Sequence, residues 1–377
     1  MTEVITYLGG PIFDGDRLHN GYALRVVGGA VTAIGSEDFV GREGEIVDLG
    51  GDILSPGYVD LQVNGGDGIM LNDDLSLDTL RRMGAAHRRL GATHILPTLI
   101  TNTLAKTEAT IAVVKEAIAA GVEGIAGLHL EGPHLSVARK GAHDAALIRP
   151  MDDGDLAMLL QAAADLPALM LTVAPENVTV DQVKALVEAG AVVSLGHTDA
   201  DFTTCAAYFA AGAQCATHLF NAMSQMGNRE PGLVGAVLHS GTASAGLIAD
   251  AVHVHPATIR AAWDAKQGPG EIFLVSDAMA PAGTDVSEFH LEGRVISREG
   301  GRLTLPDGTL AGADLDLTTA VRVMHQQVDV PLEIALRAAT HVPARLMGLA
   351  EGIGSFALGK PSPLIRIKGD LSTCSVV

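Results

Sequence analysis

The sequence predicts an α/β fold: a parallel (β/α)8 TIM barrel with a small β-domain formed from both chain termini. Three observations carry this expectation. Eight short apolar runs bounded by turn signals alternate with amphipathic segments of helical period, the pattern of parallel strands buried on both faces. The polar residues that interrupt those runs fall at their C-terminal ends, which form the catalytic face of such a barrel. Residues 1–52 and 350–377 instead read as short strands around glycine turns, as in "LRVVGGAVTAIGS".

In chain order the eight runs are "ILSPGYVDLQV", "HILPTLI", "IAGLHLEG", "ALMLTVAPE", "AVVSLGH", "QCATHLF", "SAGLIADAVHV" and "EIFLVSDAM". Seven helical segments separate them. The clearest are "LSLDTLRRMGAAHRRL", "TLAKTEATIAVVKEAIAAG" and "TVDQVKALVEAG", the last two followed by a glycine suited to a helix C-cap. After the eighth run, "EGRVISREGGRLTLPDGTLAGA" alternates around Gly-Gly and Asp-Gly, which predicts a β-hairpin insertion at about 292–312. Helix then resumes with "DLDLTTAVRVMHQQ". The barrel is thus expected over 53–349.

Composition narrows the function. A chain of 377 residues with 47% hydrophobic and 18% charged residues is a globular enzyme-sized protein. Its net charge of −19 argues against nucleic acid or an anionic membrane as partner, because both are bound through Lys and Arg. Three scattered cysteines make no disulfide framework, and "MTEVITYLGG" lacks a signal-peptide pattern, so a reducing cytoplasm is expected. The longest uncharged run, "GLVGAVLHSGTASAGLIA", carries four glycines and His239 and reads as helix, turn and strand rather than as a membrane span.

Four ionisable residues stand at strand ends: Glu131 after the third run, His197 after the fifth, His218 after the sixth and Asp277 after the eighth. Two imidazoles and a carboxylate converging from neighbouring strands can hold one divalent cation and leave a position for water. A lone His beside a strand is more often structural, but an Asp or Glu within an apolar run is costly to bury without a partner. The first run ends in "DLQVNGG", where Gln62 and Asn64 occupy the alternate positions that His-x-His fills in many metal-dependent barrels. Amide oxygens are poorer ligands than imidazole for zinc-like ions, so these two are expected to bond beside the site without ligating.

Other residues weigh less. His129 shares the strand face of Glu131 and suits a supporting role as well as ligation. His134 and His143 lie in the long loop "EGPHLSVARKGAHD", where solvated histidines are the plainer reading. Arg229, in "NREPGLVGA", is a surface charge or a phosphate clamp. "GGDGIM" is too weak a motif for a nucleotide.

Taken together, "PGYVDLQVNGGDG", "GLHLEGPHLSVARKGAHD", "SLGHTDAD", "ATHLFNAMSQMGNREPGLVGA", "IADAVHV", "LVSDAMAPAGT" and "LAGA" resemble the N-acetylglucosamine-6-phosphate deacetylases of the amidohydrolase superfamily. The resemblance runs in order through the barrel. It implies a β-sandwich made by both termini, a homodimer, and deacetylation of N-acetyl-D-glucosamine 6-phosphate in cytoplasmic amino-sugar catabolism or cell-wall recycling. Carried onto this sequence, it implies Glu131, His197 and His218 as ligands of one divalent ion, zinc foremost, and Asp277 as catalytic acid/base with His143 supporting the reacting carbonyl. It further implies substrate contacts from Ala142, His143, Asn221, Ala222, Arg229, His253, Leu310, Ala311 and Gly312, with His253 serving the partner subunit's site. The rival readings are the galacto epimer as substrate, a cyclic-amide hydrolase and a non-catalytic amidohydrolase-like scaffold.

Overall fold

A computed structural model describes residues 2–377. Eight parallel strands form one sheet: β1 (Tyr58–Val63), β2 (Ala92–Ile100), β3 (Leu128–Glu131), β4 (Leu169–Val173), β5 (Val192–Leu195), β6 (Cys215–Ala216), β7 (Ser244–Leu247) and β8 (Ile272–Leu274). Each pairs with the next, with register shifts only between β1 and β2, so the spatial order follows the chain. Every residue of β1 is buried, so the alternation of Asp60 and Gln62 with Leu61 and Val63 marks no exposed face; both polar side chains find buried partners, Asp60 at the Ser276 amide and Gln62 at Glu131. Between β8 and β1 the ladder gives way to a single bridge, Val63 to Ala278, and to the Asp60 carboxylate, which accepts from the Ser276 amide at 3.2 Å.

The intervening helices are α1 (Leu77–Arg89), α2 (Leu104–Ala119), α3 (Asp153–Asp165), α4 (Val180–Glu188), α5 (Phe202–Ala210), α6 (Gly232–His239), α7 (Pro256–Ala265) and α8 (Leu317–Gln326). Ser76, Thr103, Asp152, Thr179, Asp201 and Asp316 start six of them by accepting a first-turn N–H, a bond worth about 1 kcal/mol each. Gly121 and Gly190, just past α2 and α4, take positive φ of 66° and 97° as the C-cap reading requires. The long uncharged run divides into α6 and β7, and no helix of the described residues is long and apolar enough to cross a membrane.

Both chain ends enter one five-stranded sheet, in which Leu364–Ile367 lies between Cys374–Val376 and Ile53–Pro56, and Ile12–Phe13 and Leu18–His19 follow. "ILSPGYVDLQV" is therefore two strands, not one: Gly57 breaks it and sends its first half to this sheet. A four-stranded sheet of residues 4–48 packs on the other side of Tyr7, Ile12, Leu24, Leu54 and Leu364. The insertion after β8 is a three-stranded antiparallel flap, Glu288–Leu291, Arg294–Glu299 and Arg302–Thr304. It begins before the expected hairpin because "EFHL" already alternates exposed and buried residues.

Candidate active site

The C-terminal strand ends open into a cavity of about 390 Å3 whose lining includes Glu131, His143, His197, His218 and Asp277. Strand pairing stops short of three of these. His197, His218 and Asp277 lie beyond the last paired residues of β5, β6 and β8, at φ of 47°, 28° and 50°. Left-handed backbone at a residue bearing a Cβ is uncommon and collects at functional sites. Here it ends each strand and turns the side chain inward.

The ligand-type atoms form a small triangle. Glu131 Oε1 lies 3.1 Å from His197 Nε2 and 3.1 Å from His218 Nε2, and the two nitrogens are 3.0 Å apart. A tetrahedral ion with bonds of 2.0–2.1 Å separates its ligand atoms by about 3.4 Å, so these residues fit one ion of zinc's size after a small expansion. His197 Nδ1 donates to the Arg139 carbonyl at 2.8 Å, which leaves Nε2 unprotonated and facing the cavity. Burial pushes the Glu131 carboxyl up, but hydrogen bonds and charge from the two imidazoles outweigh it and hold the group well below the usual range. For His218, burial pushes the pKa down and Glu131, aided by Asp277, raises it above the ordinary value. The triangle thus attracts positive charge, which a divalent ion would supply in place of the proton.

Glu131, His143 and His197 also bring ligand atoms within 4.8 Å of one another. The hydrogen bonds of His143 disfavour it as the third ligand and leave that place to His218, whose own Nδ1 is buried without a partner. The Thr101 amide donates to His143 Nδ1 at 3.3 Å, with the Thr101 hydroxyl at 2.8 Å, so the proton of the neutral ring sits on Nε2. Burial first, then the charge of His197, lowers the His143 pKa to about 3 and keeps the ring neutral. His143 therefore presents an N–H to the cavity, 3.9 Å from Glu131 Oε2.

The amides at the end of β1 serve the carboxylates. Gln62 Nε2 donates to both Glu131 oxygens at 3.2 and 3.3 Å, and Asn64 Nδ2 donates to Asp277 Oδ1 at 2.7 Å. Burial, then the charge of Glu131, raises the Asp277 pKa to about 6, against the pull of His218 and Asn64. His129 has both nitrogens engaged, with the Leu61 carbonyl at 2.9 Å and the Thr172 hydroxyl at 2.7 Å, and is a structural residue beneath the site.

A match to the model of the amidohydrolase family spans residues 53–376. The chain belongs to the amidohydrolase family. It is 43% identical over 324 residues to an N-acetylgalactosamine-6-phosphate deacetylase of Shewanella sp. (strain ANA-3), an alignment covering 86% of this chain and 81% of that protein. The crystal structure of N-acetylglucosamine-6-phosphate deacetylase from Pasteurella multocida superposes with a TM-score of 0.92 at 33% identity, covering 99% of this chain and 97% of that one. An aspartate-to-alanine mutant of the Mycobacterium smegmatis N-acetyl-D-glucosamine-6-phosphate deacetylase, in complex with N-acetyl-D-glucosamine-6-phosphate, superposes with a TM-score of 0.90 at 30% identity, covering 100% of this chain and 97% of that one.

In this amidohydrolase the other expected site residues divide. Ala142, Asn221, Ala222, His253, Leu310 and Gly312 line the cavity. Ala311 does not: it is fully buried in the apolar cluster under the flap. Arg229 is likewise outside the lining, on the exposed loop 225–230. His253 lies on the wall of its own chain's cavity, its Nδ1 2.6 Å from Asp250. His134 and His143, expected in solvent, are both buried, because their loop folds back over the barrel mouth. Sequence reasoning missed Arg139 and Thr309 in the lining and Thr101 as the residue that sets the His143 tautomer. The "VARKGAHD" run next to His143 was the available signal for Arg139. A larger groove of about 670 Å3 between α1, α2 and the last strand carries arginines and Glu123 but no carboxylate–imidazole cluster.

Proposed function

We propose that this amidohydrolase removes the acetyl group of N-acetyl-D-glucosamine 6-phosphate, giving D-glucosamine 6-phosphate and acetate in cytoplasmic amino-sugar catabolism or cell-wall recycling. The observation that carries the reading is the buried triangle of Glu131, His197 and His218 with Asp277 on the same cavity wall. A cluster of buried ionisable groups in a cleft is what catalysis requires and what a scaffold does not need.

Glu131, His197 and His218 would hold one divalent ion per chain, zinc by the character of the donors, and such an ion supplies Lewis acidity to water and to the acetamide carbonyl. Asp277, steadied by Asn64, takes the proton of the attacking water and returns it to the leaving amine. His143 donates a hydrogen bond from its Nε2–H to the carbonyl oxygen as negative charge grows there, and keeps its proton. Gln62 keeps both oxygens of Glu131 oriented. The sugar phosphate is assigned to the end lined by Asn221, Ala222 and His253. Arg229, on the exposed loop 225–230, is a further proposed contact for the phosphate, in a protein that acts as a homodimer.

His143→Gln is expected to lower kcat by about 10²–10³, the usual cost of one oxyanion donor, while metal content stays that of the unsubstituted protein. Elemental analysis beside the kinetics separates this role from ligation, since loss of the ion would make His143 a ligand.

A second reading is supported by two relatives that are N-acetylgalactosamine-6-phosphate deacetylases, at 43% and 31% identity. Acetate release from the two epimers decides. The account expects kcat/KM to be higher for the gluco substrate; the opposite order selects the galacto reading, and release from neither rejects both.

A further inference from the structure

The flap between β8 and α8 reaches the cavity mouth. Leu291 from its first strand and Thr309, Leu310 and Gly312 from its return segment line the cavity. The turn between its first two strands is Glu292-Gly293, and Glu292 takes a φ of 51° despite its side chain. With Gly293 at a φ of 79°, this is the positive-φ pair that a two-residue hairpin turn requires, and it leaves the Glu292 carboxylate free to reach the barrel rim. Glu292 Oε1 accepts from Asn102 Nδ2 at 3.1 Å and from Asn72 Nδ2 at 3.4 Å, with the side chain only 20% exposed. Asn72 in turn exchanges hydrogen bonds of 3.2 Å with the backbone of Ile100, the last residue of β2 and part of the cavity lining.

Arg294, from the same turn, donates to the Ala142 carbonyl at 2.6 Å. The next residue along is His143, held by Thr101, which lies between Ile100 and Asn102. The flap turn and the His143 loop are therefore fastened to one short segment, 100–102, by separate polar contacts. None of these contacts belongs to the metal triangle.

We propose that Glu292 and Arg294 are positioning residues: Glu292 latches the flap to the barrel rim through Asn72 and Asn102, and Arg294 fixes the Ala142 carbonyl so that His143 stays aimed at the acetamide. Their assignment to deacetylation rests on the function proposed above. Apolar packing of Phe289, Leu291, Ile296 and Leu303 on Met70 and Met279 keeps an unlatched flap folded, so losing the latch shows as more frequent opening rather than collapse.

The test uses the full chain. In Glu292→Ala, KM for N-acetyl-D-glucosamine 6-phosphate rises about tenfold with kcat nearly unchanged, because the flap contributes to binding in ground and transition states alike. Trypsin cleaves after Arg298 and Arg302 several-fold faster. Glu292→Gln, which keeps an acceptor oxygen, restores most of both properties. Asn102→Asp is a second route to the same state: it preserves the bond to the Thr103 amide and sets a like charge against Glu292. Arg294→Ala lowers kcat, and Arg294→Lys recovers it. Unchanged KM and unchanged tryptic rates in both Glu292→Ala and Asn102→Asp overturn the latch, as does a parallel fall of kcat, KM and melting temperature without rescue by Gln. Failure of the unsubstituted protein to release acetate refutes the deacetylase reading alone, since the tryptic rates still decide the latch.

Discussion

Asp277→Asn is expected to leave a folded protein with its metal content intact and kcat lowered by about 10⁴-fold, the upper range for a group that acts as base and then as acid. That loss corresponds to about 5.5 kcal/mol of transition-state stabilisation. The fold should tolerate the change because Asn64 can still donate to the remaining oxygen at this position, now bonded at 2.7 Å. Asn cannot accept the proton of water, and it has none to give the leaving amine. Steady-state kinetics with elemental analysis checks the result; kcat within about tenfold of the unsubstituted protein would reassign the general base.

The second large effect is loss of the ion. His218→Ala is expected to abolish tight metal binding and turnover together. The substitution removes one of three atoms that lie 3.0–3.1 Å apart and leaves a pair too few for a closed coordination shell. Glu131 and His197 remain, buried, with Glu131 still held by Gln62, so the cost falls on the ion more than on the fold. The variant's melting temperature, compared with that of the chelated unsubstituted protein, measures this: the two should agree closely, since both lack the same bound ion. A variant that keeps its ion would give the third ligand position to His143.

Much of the site was legible because burial makes charge conspicuous. Glu131, His197, His218 and Asp277 each interrupt an apolar run at the end where a parallel barrel opens, and the structure brings all four to one cavity. The Gln62 and Asn64 positions were equally readable, since residues two apart on a strand share a face. The loops hid the rest. His143 looks solvated in sequence because nothing local shows that 132–149 folds back over the barrel, nor that Thr101, 42 residues away, fixes its tautomer. Ala311 and its neighbours form one motif, yet only Leu310 and Gly312 line the cavity: Gly312 turns the chain at a φ of 64° and Ala311 is buried under the flap. Strand lengths were overread for a physical reason: the left-handed residues that aim the site side chains also end the hydrogen-bonded ladder.

The measurement closest to the central claim is the ion content of the purified protein, read beside acetate release before and after chelation. One tightly held divalent ion per chain is expected, lost together with turnover and regained with it when zinc is returned. Full turnover in ion-free protein, or two tightly held ions per chain, would contradict it.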